Sequence, residues 1–260
     1  MIEPGIAVQR AWVTVGDRAL LAEVTLDLRR GELIAIVGRN GAGKSTLLRL
    51  MAGFLEPSRG EVVLEGRPLR AIAAGERARR LGFLAPARLP SPAGYTVRQV
   101  VGWMRFAHHS WWRATGADDA SVASAIAGLE LTGLAERRLD TLSEGERQRV
   151  WLAGLVAQET EFVLLDEPTS HLDPTHAIES LRTIRSWASA GRGVAIVLHD
   201  LDAALAVADR VVLVDEGRIA FDEPVARVPL DELGRRLGIR LAEVALDGRR
   251  RVLAQGVGGA

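Results

Sequence analysis

Gly38-Arg39-Asn40-Gly41-Ala42-Gly43-Lys44-Ser45-Thr46 decides the reading of this chain, because it fits the phosphate-binding pattern G-x-x-x-x-G-K-[ST] without a gap. Lys44 is the only lysine among 33 lysine and arginine residues. The arginine bias stops where chemistry requires it to stop. A compact ammonium on a flexible stem reaches the β- and γ-phosphates of a nucleotide in a narrow loop, whereas a guanidinium is a wide planar fork. Immediately before the loop, Leu33-Ile34-Ala35-Ile36-Val37 is a continuous apolar run, the pattern of a strand buried on both faces of a parallel sheet. After it, Leu47, Leu48, Leu50, Met51 and Phe54 recur at helical spacing. Strand, glycine-rich loop and helix therefore follow in the order that the motif needs. Gly41 and Gly43 let the backbone curl around phosphates, with Arg39, Asn40 and Ala42 completing the curl, and the helix behind them presents its positive end. Ser45 offers a hydroxyl to Mg²⁺, and Thr46 supports the phosphates.

Two further apolar strands end in polar residues. Phe162-Val163-Leu164-Leu165 runs into Asp166-Glu167-Pro168, and two carboxylates at the end of a buried strand are costly unless they face a site. Asp166 is placed to hold the Mg²⁺ hydration shell, and Glu167 to orient or deprotonate an attacking water. Val194-Ala195-Ile196-Val197-Leu198 ends in His199-Asp200, one strand-helix unit later. His199 would thus emerge on the same carboxyl edge of the sheet, where open α/β folds bind ligands. Upstream of the loop, residues 6 to 28 alternate apolar and polar in short stretches, as half-buried antiparallel strands do.

Composition narrows the remaining classes. The chain has 260 residues, 48% hydrophobic and 25% charged, enough for one large domain or two small ones. A formal net charge of zero argues against a general nucleic-acid binder. The arginine runs at Arg77, Arg79, Arg80 and at Arg249, Arg250, Arg251 read as solvated faces or terminal loops. With no cysteine, disulfides and thiolate metal sites are excluded. The first residues lack the apolar core of a signal peptide, and no apolar run is long enough to cross a bilayer, so any membrane role is expected through a partner.

Leu142-Ser143-Glu144-Gly145-Glu146-Arg147-Gln148-Arg149 resembles the L-S-G-G-Q signature of ATP-binding cassette proteins. Ser170-His171-Leu172-Asp173 resembles the D-loop of that family, and His199 its switch histidine. The resemblance covers nearly the whole chain in the correct order. It implies an α/β fold: a P-loop nucleoside triphosphatase core of the RecA type, with an N-terminal antiparallel β subdomain and an inserted helical subdomain carrying the signature. On that pattern residues 1–86 and 159–225 form the core with its β subdomain, 87–158 the helical subdomain, and 226–260 a short C-terminal extension.

The resemblance also implies two copies associated head to tail, ATP and Mg²⁺ lying between the phosphate loop of one copy and Ser143, Glu144, Gly145 and Glu146 of the other. A helix beginning near Glu146 would add its dipole. Ser143 with Glu146 fits a helix-capping box as well. Asp173 belongs to the D-loop of the same interface. Within the family, Gly-Glu-Arg-Gln-Arg-Val at 145 to 150 and Leu-Leu-Asp-Glu-Pro-Thr-Ser-His-Leu-Asp at 164 to 173 are closest to ATPases of importers for iron-siderophore, haem and cobalamin complexes. That implies an ATP-hydrolysing subunit peripheral to the cytoplasmic face of the cell membrane, paired with permease subunits and, through them, an extracytoplasmic solute-binding protein. A weakly hydrolysing ATP-binding subunit and an exporter ATPase are the alternatives.

Three departures from the family pattern stand out. Pro86 occupies the region of the usual glutamine and has neither an amide side chain nor a backbone donor. Gln99 is too far along to replace it, on a helix expected to start near Thr96. Glu144 replaces the first glycine of the signature and brings a charge near polyphosphate. Val15 falls where the adenine-stacking aromatic is usual. Trp12 is of opposite strand parity, which points to packing rather than rescue. In the helical segment Trp103 is expected in the core, whereas Trp111 and Trp112 fit either that core or a membrane subunit. His108 and His109 lack carboxylate or cysteine partners at ligand spacing, which argues against a metal site.

Overall fold

The computed structural model describes residues 5–85, 94–108, 116–170, 172–246 and 249–257. Strand β3 (Leu33–Val37) is central, and its alternation explains the layers on either side. Leu33, Ala35 and Val37 point into one apolar cluster, and Ile34 and Ile36 into another. A strand covered on both faces has no polar side to present, which is why its sequence is apolar throughout.

The six-stranded sheet has the order β10-β9-β3-β8-β7-β6. It is built from β6 (Leu81–Leu84), β7 (Phe162–Asp166), β8 (Gly193–Val197), β9 (Arg210–Asp215) and β10 (Arg218–Pro224) around β3. All pairs are parallel except β9 with β10. Because β3, β8 and β7 are adjacent and parallel, the residues that follow each emerge side by side at one edge. The first cluster lies beneath helices α6 (Pro174–Ser189), α7 (Leu201–Val207) and α8 (Leu230–Leu237).

The second cluster packs helix α1 (Lys44–Met51) and an antiparallel sheet onto the opposite face. That sheet has the order β2-β1-β4-β5, from β1 (Ile6–Val15), β2 (Arg18–Leu28), β4 (Arg59–Leu64) and the short β5 (Arg67–Pro68). Ile6, Val8, Ala11 and Val13 are buried in it, the register shifting between Val8 and Ala11 where Arg10 takes φ 45°. Phe54 lies past the end of α1, exposed, with its ring edge-on to Phe83.

Helices α3 (Val97–Trp103), α4 (Gly116–Gly128) and α5 (Glu144–Ala157) pack on one another and share the first cluster. Val97, Val100, Val101, Val122, Ala125 and Ile126 fill that contact. Trp103 does not: it is 48% exposed, its ring edge-on to Tyr95 at 4.3 Å, which corrects the expectation of a core tryptophan. Smaller side chains, mostly valines, occupy the contact between the helices instead. Gln99 is consumed by the α3 cap, its Oε1 accepting from the Thr96 backbone N–H at 2.9 Å. Pro86, His109, Trp111, Trp112 and His171 lie outside the described residues. Short helix α2 (Ala74–Arg80) carries the first arginine run. Arg80 is not solvated as expected, because its guanidinium pairs with Glu65 and Glu161, which also bind Arg30. Arg249 to Arg251 open a strand rather than a loop: β12 (Arg249–Val257) pairs with β11 (Ile239–Leu246), and the Val252 N–H donates to Asp202 on α7.

Candidate nucleotide-binding and catalytic site

At the carboxyl edge of the parallel sheet lies a cleft of about 950 Å³. It is lined by the loop from Arg39 to Thr46, by Glu167 and His199, by the start of β2 from Arg18 to Leu20, and by the turn after β9 from Asp215 to Gly217. The loop cannot be built from ordinary residues. Gly43, at φ 109°, caps α1, and a Cβ there would stand 3.0 Å from the Leu20 carbonyl oxygen. A Cβ on Gly38 would overlap the Val214 carbonyl at 2.2 Å. Helix α1 then begins at Lys44 with no acid in its first turn, leaving its free N–H groups and positive end to the cleft.

Lys44 is buried, and its Nζ donates to the carbonyls of Gly38 at 2.8 Å and Arg39 at 3.0 Å. Burial pushes the ammonium below the ordinary lysine range, against the pull of Glu167 and Asp166. Desolvation at this position is therefore paid before any phosphate arrives, and an anion has a preformed reason to bind. Beside it, the Ser45 hydroxyl donates to Asp166 Oδ1 at 3.0 Å. Asp166 Oδ2 is buried without a hydrogen-bond partner. Burial raises the Asp166 carboxyl above the usual range; Glu167 raises it further, while Ser45, Arg49 and Lys44 offset part of the effect. A hydroxyl beside an orphaned carboxylate oxygen suits a hard cation that takes oxygen ligands and keeps its waters.

Glu167 and His199 meet across the cleft, His199 Nε2 lying 2.7 Å from Glu167 Oε1. Glu167 adopts φ 54°, a conformation that a non-glycine residue keeps only when its surroundings enforce it. The enforcing contacts are visible. The Ser170 N–H and hydroxyl both donate to the Glu167 carbonyl, and Gln148 Nε2 donates to the next carbonyl, that of Pro168, at 2.5 Å. Gln148 is a buried polar residue on α5, so it ties the signature helix to the turn that bears Glu167. The sequence carried a signal for it, a neutral amide at a position facing the apolar core.

The signature segment starts a helix two residues earlier than expected. Helix α5 begins at Glu144 with Ser143 as its cap, not near Glu146. Glu146 Oε2 accepts from the Ser143 backbone N–H at 2.7 Å and from its hydroxyl at 2.9 Å, completing the capping box. That backbone bond holds the Glu146 carboxyl below its usual range. Glu144 sits exposed in the first turn, 4.0 Å from Arg147. Gly145 faces the His176 ring, and His176 Nδ1 lies 2.5 Å from Asp173 Oδ2. Asp173 caps α6, and its bond to His176 holds its carboxyl low. The start of α5 thus faces the first turn of α6, next to Asp173, and none of these residues lines the cleft. Val15 is not on the cleft wall; it is 64% exposed at the tip of the β1–β2 turn. Arg218 and Arg59 lie over the Trp12 ring, 5.8 and 6.0 Å from its centre.

The sequence profile of the ABC transporter family matches residues 21–170. The chain belongs to the ABC transporter family. It is an ATPase of that family, and residues 38–46, 142–149 and 166–167 all lie within the matched stretch. Among its relatives is the hemin import ATP-binding protein HmuV of Thermobifida fusca, 42% identical over 218 residues, covering 82% of this chain and 74% of that protein. The achromobactin transport ATP-binding protein CbrD of Dickeya dadantii is 38% identical over 218 residues, covering 83% and 80%. A solved chain described as a metal-chelate type ABC transporter in an inward-facing conformation superposes with a TM-score of 0.84, covering 98% of this chain and 97% of that one at 24% identity, which shows the shared fold. No helix of the described residues is long and apolar enough to cross a membrane.

Proposed function

We propose that this chain is the ATP-hydrolysing subunit of an importer for a metal chelate of the haemin or siderophore kind. The observation that carries the reading is the convergence at one cleft of Lys44, the Ser45–Asp166 pair and the Glu167–His199 pair. The relatives named for haemin import and achromobactin transport support the cargo class.

On phosphate binding Lys44 exchanges the Gly38 and Arg39 carbonyls for the β- and γ-phosphate oxygens, and the backbone N–H groups from Asn40 to Thr46 surround the same oxygens. Ser45 and Asp166 would hold Mg²⁺, which when bound neutralises charge on the transferring phosphate. Glu167 accepts a proton from the attacking water or fixes its direction, and His199, held by Glu167, donates to the γ-phosphate. Ser143, Glu144, Gly145 and Glu146 lie outside their own cleft and would close the cleft of a second copy in a head-to-tail pair, with Asp173 at the same interface. In that pair the free N–H groups at the start of α5 face the phosphate. Loss of the γ-phosphate then removes the shared ligand and loosens the pair, the step that permease subunits at the cytoplasmic face would transmit. An extracytoplasmic binding protein would deliver the chelate.

The test is purification with the membrane protein that accompanies the chain, followed by ATP hydrolysis with and without haemin or a ferric siderophore. Hydrolysis above a Lys44→Ala control and stimulated by a chelate is the expected result. Hydrolysis indifferent to every chelate would remove the cargo assignment, and equality with the control would remove the catalytic one.

A further inference from the structure

The base of the bound nucleotide has no aromatic platform in this cleft. Among the described residues that line it there is no phenylalanine, tyrosine or tryptophan, and its one imidazole, His199, is engaged by Glu167 at the phosphate end. Val15 is not among the residues that line the cleft, and Arg59 and Arg218 already lie over the Trp12 ring. Arg18, the first residue of β2, does line it. The turn that places it is a two-residue reversal, Gly16 at φ 56° followed by Asp17, so that Val15 and Arg18 are direct cross-strand partners. Directly opposed residues project from the same face of an antiparallel pair, about 5 Å apart at Cβ. Arg18 thus occupies the face and height that a platform at position 15 would serve. Its guanidinium is exposed and engages no ion pair among the described residues.

We propose that Arg18 is the base platform of this site, its planar guanidinium stacking on the purine of ATP beside the Val15 methyls. The inference rests on the nucleotide reading above and adds the residue that determines base recognition. A guanidinium stacks on any purine face and presents no pattern matched to one base, so ATP and GTP are held by Arg18 alike. Its flat fork, rather than its charge, is the required feature, and lysine cannot reproduce it.

The experiment compares wild type with Arg18→Ala, Arg18→Lys and the double variant Val15→Tyr/Arg18→Ala, measuring by titration calorimetry the Kd for ATP, GTP and inorganic tripolyphosphate, each with Mg²⁺. Both residues are exposed at a turn, so all variants are expected to fold, which circular dichroism checks. Arg18→Ala and Arg18→Lys are expected to weaken ATP and GTP about three- to thirtyfold while tripolyphosphate changes less than twofold, and Val15→Tyr is expected to restore both nucleotides. Equal loss for tripolyphosphate and ATP in Arg18→Ala would make Arg18 a phosphate contact and overturn the proposal. So would wild-type affinity for ATP in Arg18→Lys. Wild-type protein that binds neither ATP nor tripolyphosphate would overturn the nucleotide reading itself, and this inference with it.

Discussion

Replacing Asp166 by asparagine is expected to stabilise the nucleotide-free protein while abolishing its response to Mg-ATP. Asp166 is fully buried, one carboxylate oxygen is bonded to Ser45 and the other has no partner. Ser45, Arg49 and Lys44 favour the charged form, yet burial, aided by Glu167, still raises the carboxyl above its usual range, so the folded state opposes the charge. An unpartnered buried polar group costs about 1–3 kcal/mol, and the Ser45 bond offsets roughly 1 kcal/mol of that. Asparagine keeps the shape and the acceptor for Ser45 and puts its own amide in the unpartnered place, so what it gains is the smaller cost of burying a neutral rather than a charged group, about 1 kcal/mol. For a domain of this size that corresponds to a rise of about 2–4 °C in Tm. A raised folded-state value means that the Asp166 contribution is fully present at acid pH and is lost as pH rises through that value. The variant suffers no such loss, so its advantage should grow as pH rises from the ordinary carboxylate range through the raised Asp166 value. Differential scanning calorimetry of both proteins across that range, with and without Mg-ATP, reads all of this. A variant less stable than wild type at pH 8, or an advantage independent of pH, would refute the reasoning. So would a variant that Mg-ATP stabilises as much as it stabilises wild type.

Gln148→Leu leaves the Pro168 carbonyl unpaired and should lower stability by about 1–3 kcal/mol, with kcat reduced and the Kd for ATP unchanged, as stopped-flow kinetics and calorimetry would show. Glu144→Gly removes a carboxylate from the first turn of α5 and its pair with Arg147; a carboxylate within about 4 Å of a phosphate costs roughly 1 kcal/mol in water, so ATP-dependent association of two copies should strengthen by up to about fivefold by analytical ultracentrifugation, and an unchanged association constant would show that Glu144 stays clear of the partner's phosphates.

The phosphate loop, the Asp166–Glu167 strand end and His199 were legible because each is a local string whose chemistry is expensive anywhere except at a site. The parallel order of β3, β8 and β7 then brought them together with no further information. Other features depend on distance relations that a string does not hold. Trp103 reads as core by composition, but the space between α3, α4 and α5 is filled by valines, and its ring rests on Tyr95 instead. Arg80 reads as one of a solvated run until Glu65 and Glu161, 15 and 81 residues away, come to it. Gln148 and Arg18 gain their meaning only from what they face: a carbonyl at the catalytic turn and the wall of the cleft. The helix at the signature was displaced by two residues because Ser143, a good cap, starts it as soon as Glu146 can answer from the third position.

The central claim, that Glu167 directs water at a phosphate held by Lys44, is tested most directly by phosphate release from Glu167→Gln beside wild type, with ATP affinity measured in parallel. A fall in turnover of roughly 10² to 10⁴ at unchanged Kd for ATP is the predicted result. Undiminished release of phosphate by the variant would contradict it.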